Sequence, residues 1–143
     1  MTEADLTLVE ETVRIHASPE TVWRLWTDPD GICAWWGADA TLDPRPGGVC
    51  RVEMEGGGVM LGRYVELVPH ERIVFTFGWE PVEGAPDVPP ESTRVEVTLL
   101  ADAGDTILTL RHTGLSRPAA EEHRNGWAHF LGRLEHAAKP RLA

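Results

Sequence analysis

At Ser116 the hydrophobic period of this chain changes from two to between three and four, and that switch limits the folds open to it. Upstream, Cys50, Val52 and Met54 alternate with Arg51, Glu53 and Glu55. Ile73, Phe75, Phe77 and Trp79 share one parity, Val95, Val97 and Leu99 follow, and Leu108, Leu110 and His112 close the series. Period two places every second side chain on one face of a strand, so these segments read as half-buried strands. Gly56-Gly57-Gly58, Pro69-His70 and Ala103-Gly104 separate them, and such residues reverse a chain between antiparallel neighbours. Downstream, Ala120, His123, Trp127, Phe130, Leu131, Leu134 and Ala138 recur at three- and four-residue steps. That is one apolar stripe on a helix of about twenty residues, roughly 30 Å long, opened by Ser116 and stopped at Lys139-Pro140. Sequential strands closed by a terminal helix make an α+β chain, not an alternating parallel one.

The first 60 residues are less regular. Val9, Val13 and Ile15 oppose Glu10, Thr12 and Arg14 in a first strand over 7–15, with Glu11 as its one defect. Ser18-Pro19-Glu20 joins a capping hydroxyl, a proline whose missing N–H costs nothing in the first turn and an acid at the positive helix end. The helix it opens ends at Asp28-Pro29, which begins a second short helix to about Trp36-Gly37. A strand over 59–68 returns from the Gly56-Gly57-Gly58 turn. It offers two faces, Met60/Gly62/Tyr64/Glu66 and Leu61/Arg63/Val65/Leu67, and alternation does not choose between them. Residues 80–91 hold four prolines and four acids, a composition for an exposed loop and not a central strand. The order is one strand, two short helices, five or six antiparallel strands and the long helix.

At 143 residues the expectation is one domain over 1–143. The formal charge is −10, which repels a phosphate backbone or an anionic membrane. The longest stretches without Asp, Glu, Lys or Arg are eight residues, Gly31–Ala38 and Asn125–Gly132, against about 20 for a helical membrane span. Acids stand where a secretory signal would be basic and then apolar, so a cytoplasmic location is expected. Cys33 and Cys50 lack a Cys-x-x-Cys spacing and read as free thiols.

The six tryptophans, at 23, 26, 35, 36, 79 and 127, either fill a thick core or line a hole. A meander of six or seven strands is too wide for one helix about 10 Å across to cover, so a gap between sheet and helix is expected, and such gaps take apolar ligands. Met54, Phe75, Phe77, Trp79 and His112 from the sheet, Trp36 from the short helices and Trp127, Phe130 and Leu131 from the long one are the candidate lining. Tyr64 joins them if its strand turns that way. Trp23, Trp26 and Trp35 read as core.

Several segments in order carry a resemblance: Ala17-Ser-Pro-Glu-Thr-Val-Trp23, Trp26-Thr-Asp-Pro29, Trp35-Trp36-Gly37, Gly62-Arg-Tyr64, Glu66-Leu-Val-Pro-His-Glu-Arg-Ile-Val-Phe-Thr-Phe77, Leu110-Arg-His112-Thr-Gly114 and Gly126-Trp127. Over about residues 7–137 the chain resembles the bacterial single-domain members of the heat-shock-protein-90 ATPase activator homologue family, within the START/SRPBCC (birch-pollen-allergen-like) superfamily. The resemblance implies a helix-grip fold, order β-α-α-β-β-β-β-β-β-α, in which a curved seven-stranded antiparallel sheet grips the C-terminal helix around an internal cavity. The superfamily's functions range from lipid carriage to polyketide cyclisation, so it implies no single function. The eukaryotic activator adds a separate chaperone-binding domain, for which 143 residues leave no room, so a chaperone partner and a stress-response role are the less favoured expectation. A homodimer stays open.

The chemistry expected beyond binding is sparse. His129 and His136 lie two helical turns apart, about 10 Å along the axis, too far to share one zinc. No Gly-x-Ser-x-Gly elbow or glycine-rich phosphate loop precedes a helix, so neither a metal nor a cofactor is expected. His112 on the inward parity is either a strand-end histidine bonded to the protein or a group that hydrogen-bonds a ligand or moves a proton. Glu66 and Tyr64 are the candidate partners in the second case. The leading expectation is binding of a small hydrophobic, aromatic or lipid-like molecule. The alternatives are a cyclase, dehydratase or hydrolase of polyketide-like substrates using His112 with Glu66 or Tyr64, and a protein-interaction module.

Overall fold

The computed structural model describes residues 6–81 and 88–139. Ten elements follow in chain order: β1 (Leu6–Ile15), α1 (Pro19–Thr27), α2 (Pro29–Cys33), β2 (Asp39–Leu42), β3 (Val49–Glu53), β4 (Val59–Val68), β5 (Arg72–Phe77), β6 (Thr93–Asp102), β7 (Asp105–Ser116) and α3 (Arg117–Ala138). The strands form one antiparallel sheet in the order β1-β7-β6-β5-β4-β3-β2. From β2 to β7 each strand lies beside its predecessor, whereas β1 and β2 stand on opposite edges, so α1 and α2 cross the width of the sheet. The sheet is open, and α3 packs on β1 and β7 and meets α1.

Local chemistry places the helices where the sequence puts them. The Ser18 hydroxyl accepts from the Thr21 N–H at 3.3 Å and Pro19 occupies the first turn of α1. Ser116 caps α3 in the same way, accepting from Ala119 N–H at 3.4 Å, with Pro118 in the first turn. Pro140, the second half of the expected stop, lies outside the described residues, as do 82–87 of the proline-rich loop. α2 is shorter than expected, ending at Cys33. β2 alternates, with Ala40 and Leu42 packed against the core and Asp39 and Thr41 exposed, but over only four residues; Asp39–Leu42 is held in place by pairing with β3. β5 ends at Phe77, and Trp79 makes an isolated bridge to Met60 beyond it.

The ambiguity of β4 resolves by both faces being used in turn. Tyr64 pairs with Phe75 and Glu66 with Val74, so two steps on β4 match one on β5 and Val65 is the extra residue of a bulge. A bulge reverses side-chain parity beyond it. Met60 and Tyr64 are therefore buried, Glu66 lies outside and Leu67 packs against the core. Glu66 is paired there with Arg72, which also holds Glu96. Arg111 lies opposite Glu96 in the ladder and 3.4 Å from Glu10, so charges of alternating sign cross five strands, β1 to β4 by way of β7, β6 and β5. These pairs are largely exposed and individually weak. Arg72→Met is expected to cost about 1 kcal/mol or less, with the loss shrinking at high salt; urea unfolding at two ionic strengths measures it.

Candidate functional site

Between the end of β5 and the middle of α3 the packing leaves a cleft of about 180 Å³. An apolar cavity of about 150 Å³ is enough to hold benzene, so a single-ring guest fits. Phe77 and Trp79 form one side, Trp36 another, and α3 supplies His123, Gly126, Trp127 and Phe130. These four recur at steps of three, one and three, the helical stripe that the period of α3 sets up. Exposed Glu122 stands at the lip.

Backbone constraints aim each ring. Gly78 separates Phe77 from Trp79 and lies so close to the segment after the loop that a Cβ there would fall 1.8 Å from the Pro89 carbonyl oxygen. That closeness lets the Trp79 N–H donate to the Val88 carbonyl at 2.8 Å. Trp35 is pinned by its indole N–H to the Leu25 carbonyl at 2.7 Å, and Trp36 stacks on it at 5.7 Å between centroids. Trp36 also lies nearly parallel to Phe77, 9° between planes and 6.3 Å apart.

Two histidines are bound to these rings, His123 in the lining and His112 behind it. Trp127 Nε1–H donates to His112 Nδ1 at 3.0 Å, and His112 Nε2 lies 2.8 Å from the Thr93 hydroxyl. That hydroxyl donates to the Phe77 carbonyl at 2.8 Å, so it accepts from His112 Nε2–H. The imidazole is thus neutral with both nitrogens in use, and it is fully buried. Burial, and then the proximity of His123, push its pKa down to about 3. Protonation would turn Nδ1 into a second donor facing the indole N–H. In parallel, His123 Nδ1 lies 2.7 Å from the Ala119 carbonyl and donates to it, while Nε2 accepts from Trp79 Nε1–H at 2.9 Å.

Of the residues expected to line the gap, Trp36, Phe77, Trp79, Trp127 and Phe130 do so. Phe75, Tyr64 and Leu131 are buried in the core and Met54 packs against it, and none of these reaches the cleft. For Phe75 the cause is Trp26 of α1, whose ring meets Phe75 at 6.4 Å, Trp36 at 6.2 Å and Trp127 at 6.2 Å. His112 stands behind the wall, not in it. The candidate acid–base set is not assembled: His112 is saturated by Trp127 and Thr93, Glu66 is bound to Arg72 on the outer face, and burial raises the Tyr64 phenol above its ordinary range. His123, Gly126 and Glu122 were not among the expected lining, although His123 belongs to the same stripe as Trp127.

Two buried donors, Trp26 Nε1 and Tyr64 Oη, have no hydrogen-bond partner among the described residues, and both rings lie against Phe75. The cysteines are free, and burial pushes the Cys50 thiol up to about 12, far from a reactive thiolate. Among the described residues no three His, Cys, Asp or Glu side chains are grouped to hold a metal ion, and no helix is long and apolar enough to cross a membrane.

The sequence pattern of the family described as "Activator of Hsp90 ATPase homolog 1-like protein" matches residues 16–139. The human activator of 90 kDa heat shock protein ATPase homolog 1 is 29% identical over 115 residues, which cover 79% of this chain but 31% of that protein. The chain therefore spans about a third of the length of that curated relative. Among solved structures, the AHSA1-like protein RHE_CH02687 from Rhizobium etli is 37% identical with a TM-score of 0.72, covering 96% of this chain and 92% of its own. DynU16, a protein in the dynemicin biosynthetic locus, is 27% identical with a TM-score of 0.76, covering 90% of this chain and 46% of its own.

Proposed function

The chain belongs to the family described as Activator of Hsp90 ATPase homolog 1-like protein, and on that footing we propose that it holds a small hydrophobic molecule, aromatic or lipid-like, in the cleft between β5, Trp36 and α3. The observation that carries this is a ring-lined space of about 180 Å³ whose two flanking indoles have their N–H groups turned back onto histidines. What a guest meets there is mostly apolar, as in small-molecule sites generally. The likeness to DynU16 supports a small molecule, in preference to a protein, as the occupant.

A one- or two-ring guest buries about 150–250 Å², which at about 25 cal/mol per Å² corresponds to roughly 4–6 kcal/mol and a Kd between about 1 mM and tens of micromolar. Gly126 tests the site directly, because it lines the cleft and a Cβ built there meets nothing within 4 Å. A Gly126→Leu protein is expected to melt no lower than wild type, since leaving glycine favours the helix by about 0.5–1 kcal/mol. It is also expected to bind naphthalene-type fluorescence quenchers at least about tenfold more weakly. Unchanged affinity in the plugged protein would remove the cleft from consideration, as would the absence of any quenching in wild type.

A further inference from the structure

Resting on the reading of the cleft as a binding site, we propose that its preferred guest is an organic cation, an aryl or alkyl ammonium whose charged head sits among Trp36, Trp79 and Trp127 with Glu122 as its counter-charge. Among the described residues that line the cleft, Glu122 is the only one with a formal charge at neutral pH, and no lysine or arginine joins it. The chain as a whole carries −10, so the field outside draws cations toward the opening. Both imidazoles accept from an indole, His112 from Trp127 and His123 from Trp79, so neither contributes a positive charge to the wall.

Ring orientation favours the same guest. An aromatic ring is negative on its face and positive at its edge, and the most positive part of an indole is its N–H. In Trp79 and Trp127 that corner is occupied by a histidine nitrogen and is not free to point at a guest. The walls also face in several directions. Trp36 is parallel to Phe77 within 9°, Trp79 stands at 86° to Phe77, and Trp127 is inclined to it by 49°. Two parallel plates would suit a flat neutral ring, whereas surfaces in three planes suit a rounded, substituted ammonium, which aromatic rings attract within about 6 Å.

The test compares phenyltrimethylammonium with tert-butylbenzene, which has nearly the same shape without the charge, by tryptophan fluorescence titration of the purified protein. The cation is expected to bind roughly 5- to 30-fold more tightly. Glu122→Gln is expected to reduce that ratio several-fold, through weaker binding of the cation. Equal or tighter binding of tert-butylbenzene overturns the cation preference but leaves the cleft as a hydrophobic site. If neither compound binds, the reading of the cleft fails and the preference with it. A ratio unchanged in Glu122→Gln overturns the counter-charge assignment.

Discussion

Between pH 7 and pH 4 the protein is expected to lose about 3 kcal/mol of stability through His112 alone. In the unfolded chain this side chain takes up a proton near pH 6.5, whereas in the native state its pKa lies at about 3. Throughout that window the unfolded state binds more protons, so stability falls as pH falls, gently near pH 7 and by up to about 1.4 kcal/mol per unit below about pH 6. The contribution is complete above about pH 6.5 and lost progressively toward pH 3, below which both states are protonated. The physical cause is that neutral His112 accepts from Trp127 and donates to Thr93 in a buried site, where a charged ring would have neither water nor a counter-ion. A His112→Gln protein can retain an acceptor for Trp127 and a donor for Thr93 but cannot titrate. Urea unfolding of both proteins at steps from pH 7 to pH 4 separates the contribution, because groups common to the two, such as Asp105, cancel in the difference. Parallel stability profiles would mean that His112 is not held neutral.

Gly78→Ala is expected to destabilise the fold by at least about 3 kcal/mol, near or above the usual upper range for overpacking. The added carbon would lie 1.8 Å from the Pro89 oxygen and 2.6 Å from the Pro90 Cα. All of these are backbone atoms, so no rotamer change relieves the clash and the 88–90 segment must move. That movement breaks the bond from the Trp79 N–H to the Val88 carbonyl and uncovers Val88, which is 4% exposed. Any folded remainder should also quench less with apolar ligands, since Trp79 loses its support. Thermal melting measures the first effect, and a Tm within about 2 °C of wild type would contradict the close packing described at Gly78.

The sequence makes the strands of the inner face legible because each has a long run of clean parity, as in Ile73, Phe75 and Phe77. α3 is legible for the same reason at a different period. β2 is not, since its alternation of Asp39 and Thr41 with Ala40 and Leu42 runs for four residues, too short to mark a strand without the neighbouring β3. The bulge at Val65 is equally silent: nothing in Tyr64-Val65-Glu66 marks a residue without a partner, and one unpaired position suffices to move Glu66 from the cavity side to the charged outer face. Within the site, parity tells which side chains point inward but not how deep each one ends. Phe75 and Phe77 share a face, yet Trp26 covers the first and leaves the second at the cleft. Such depth depends on a helix remote in sequence. The stripe that delivers Trp127 and Phe130 delivers His123 as well, so spacing alone marks it for the same wall.

Unlike Trp79 and Trp127, whose indoles are hydrogen-bonded to histidines, Trp36 keeps its place by stacking on Trp35 and Phe77 and leaning on Trp127. Stacked rings slide at little energetic expense, while a hydrogen bond holds both distance and direction. The grip thus has one stiff jaw and one compliant jaw. In the proposed binding role, guests of different girth would be accommodated by displacement of Trp36, and whatever end of the molecule rests against α3 would meet the same frame every time.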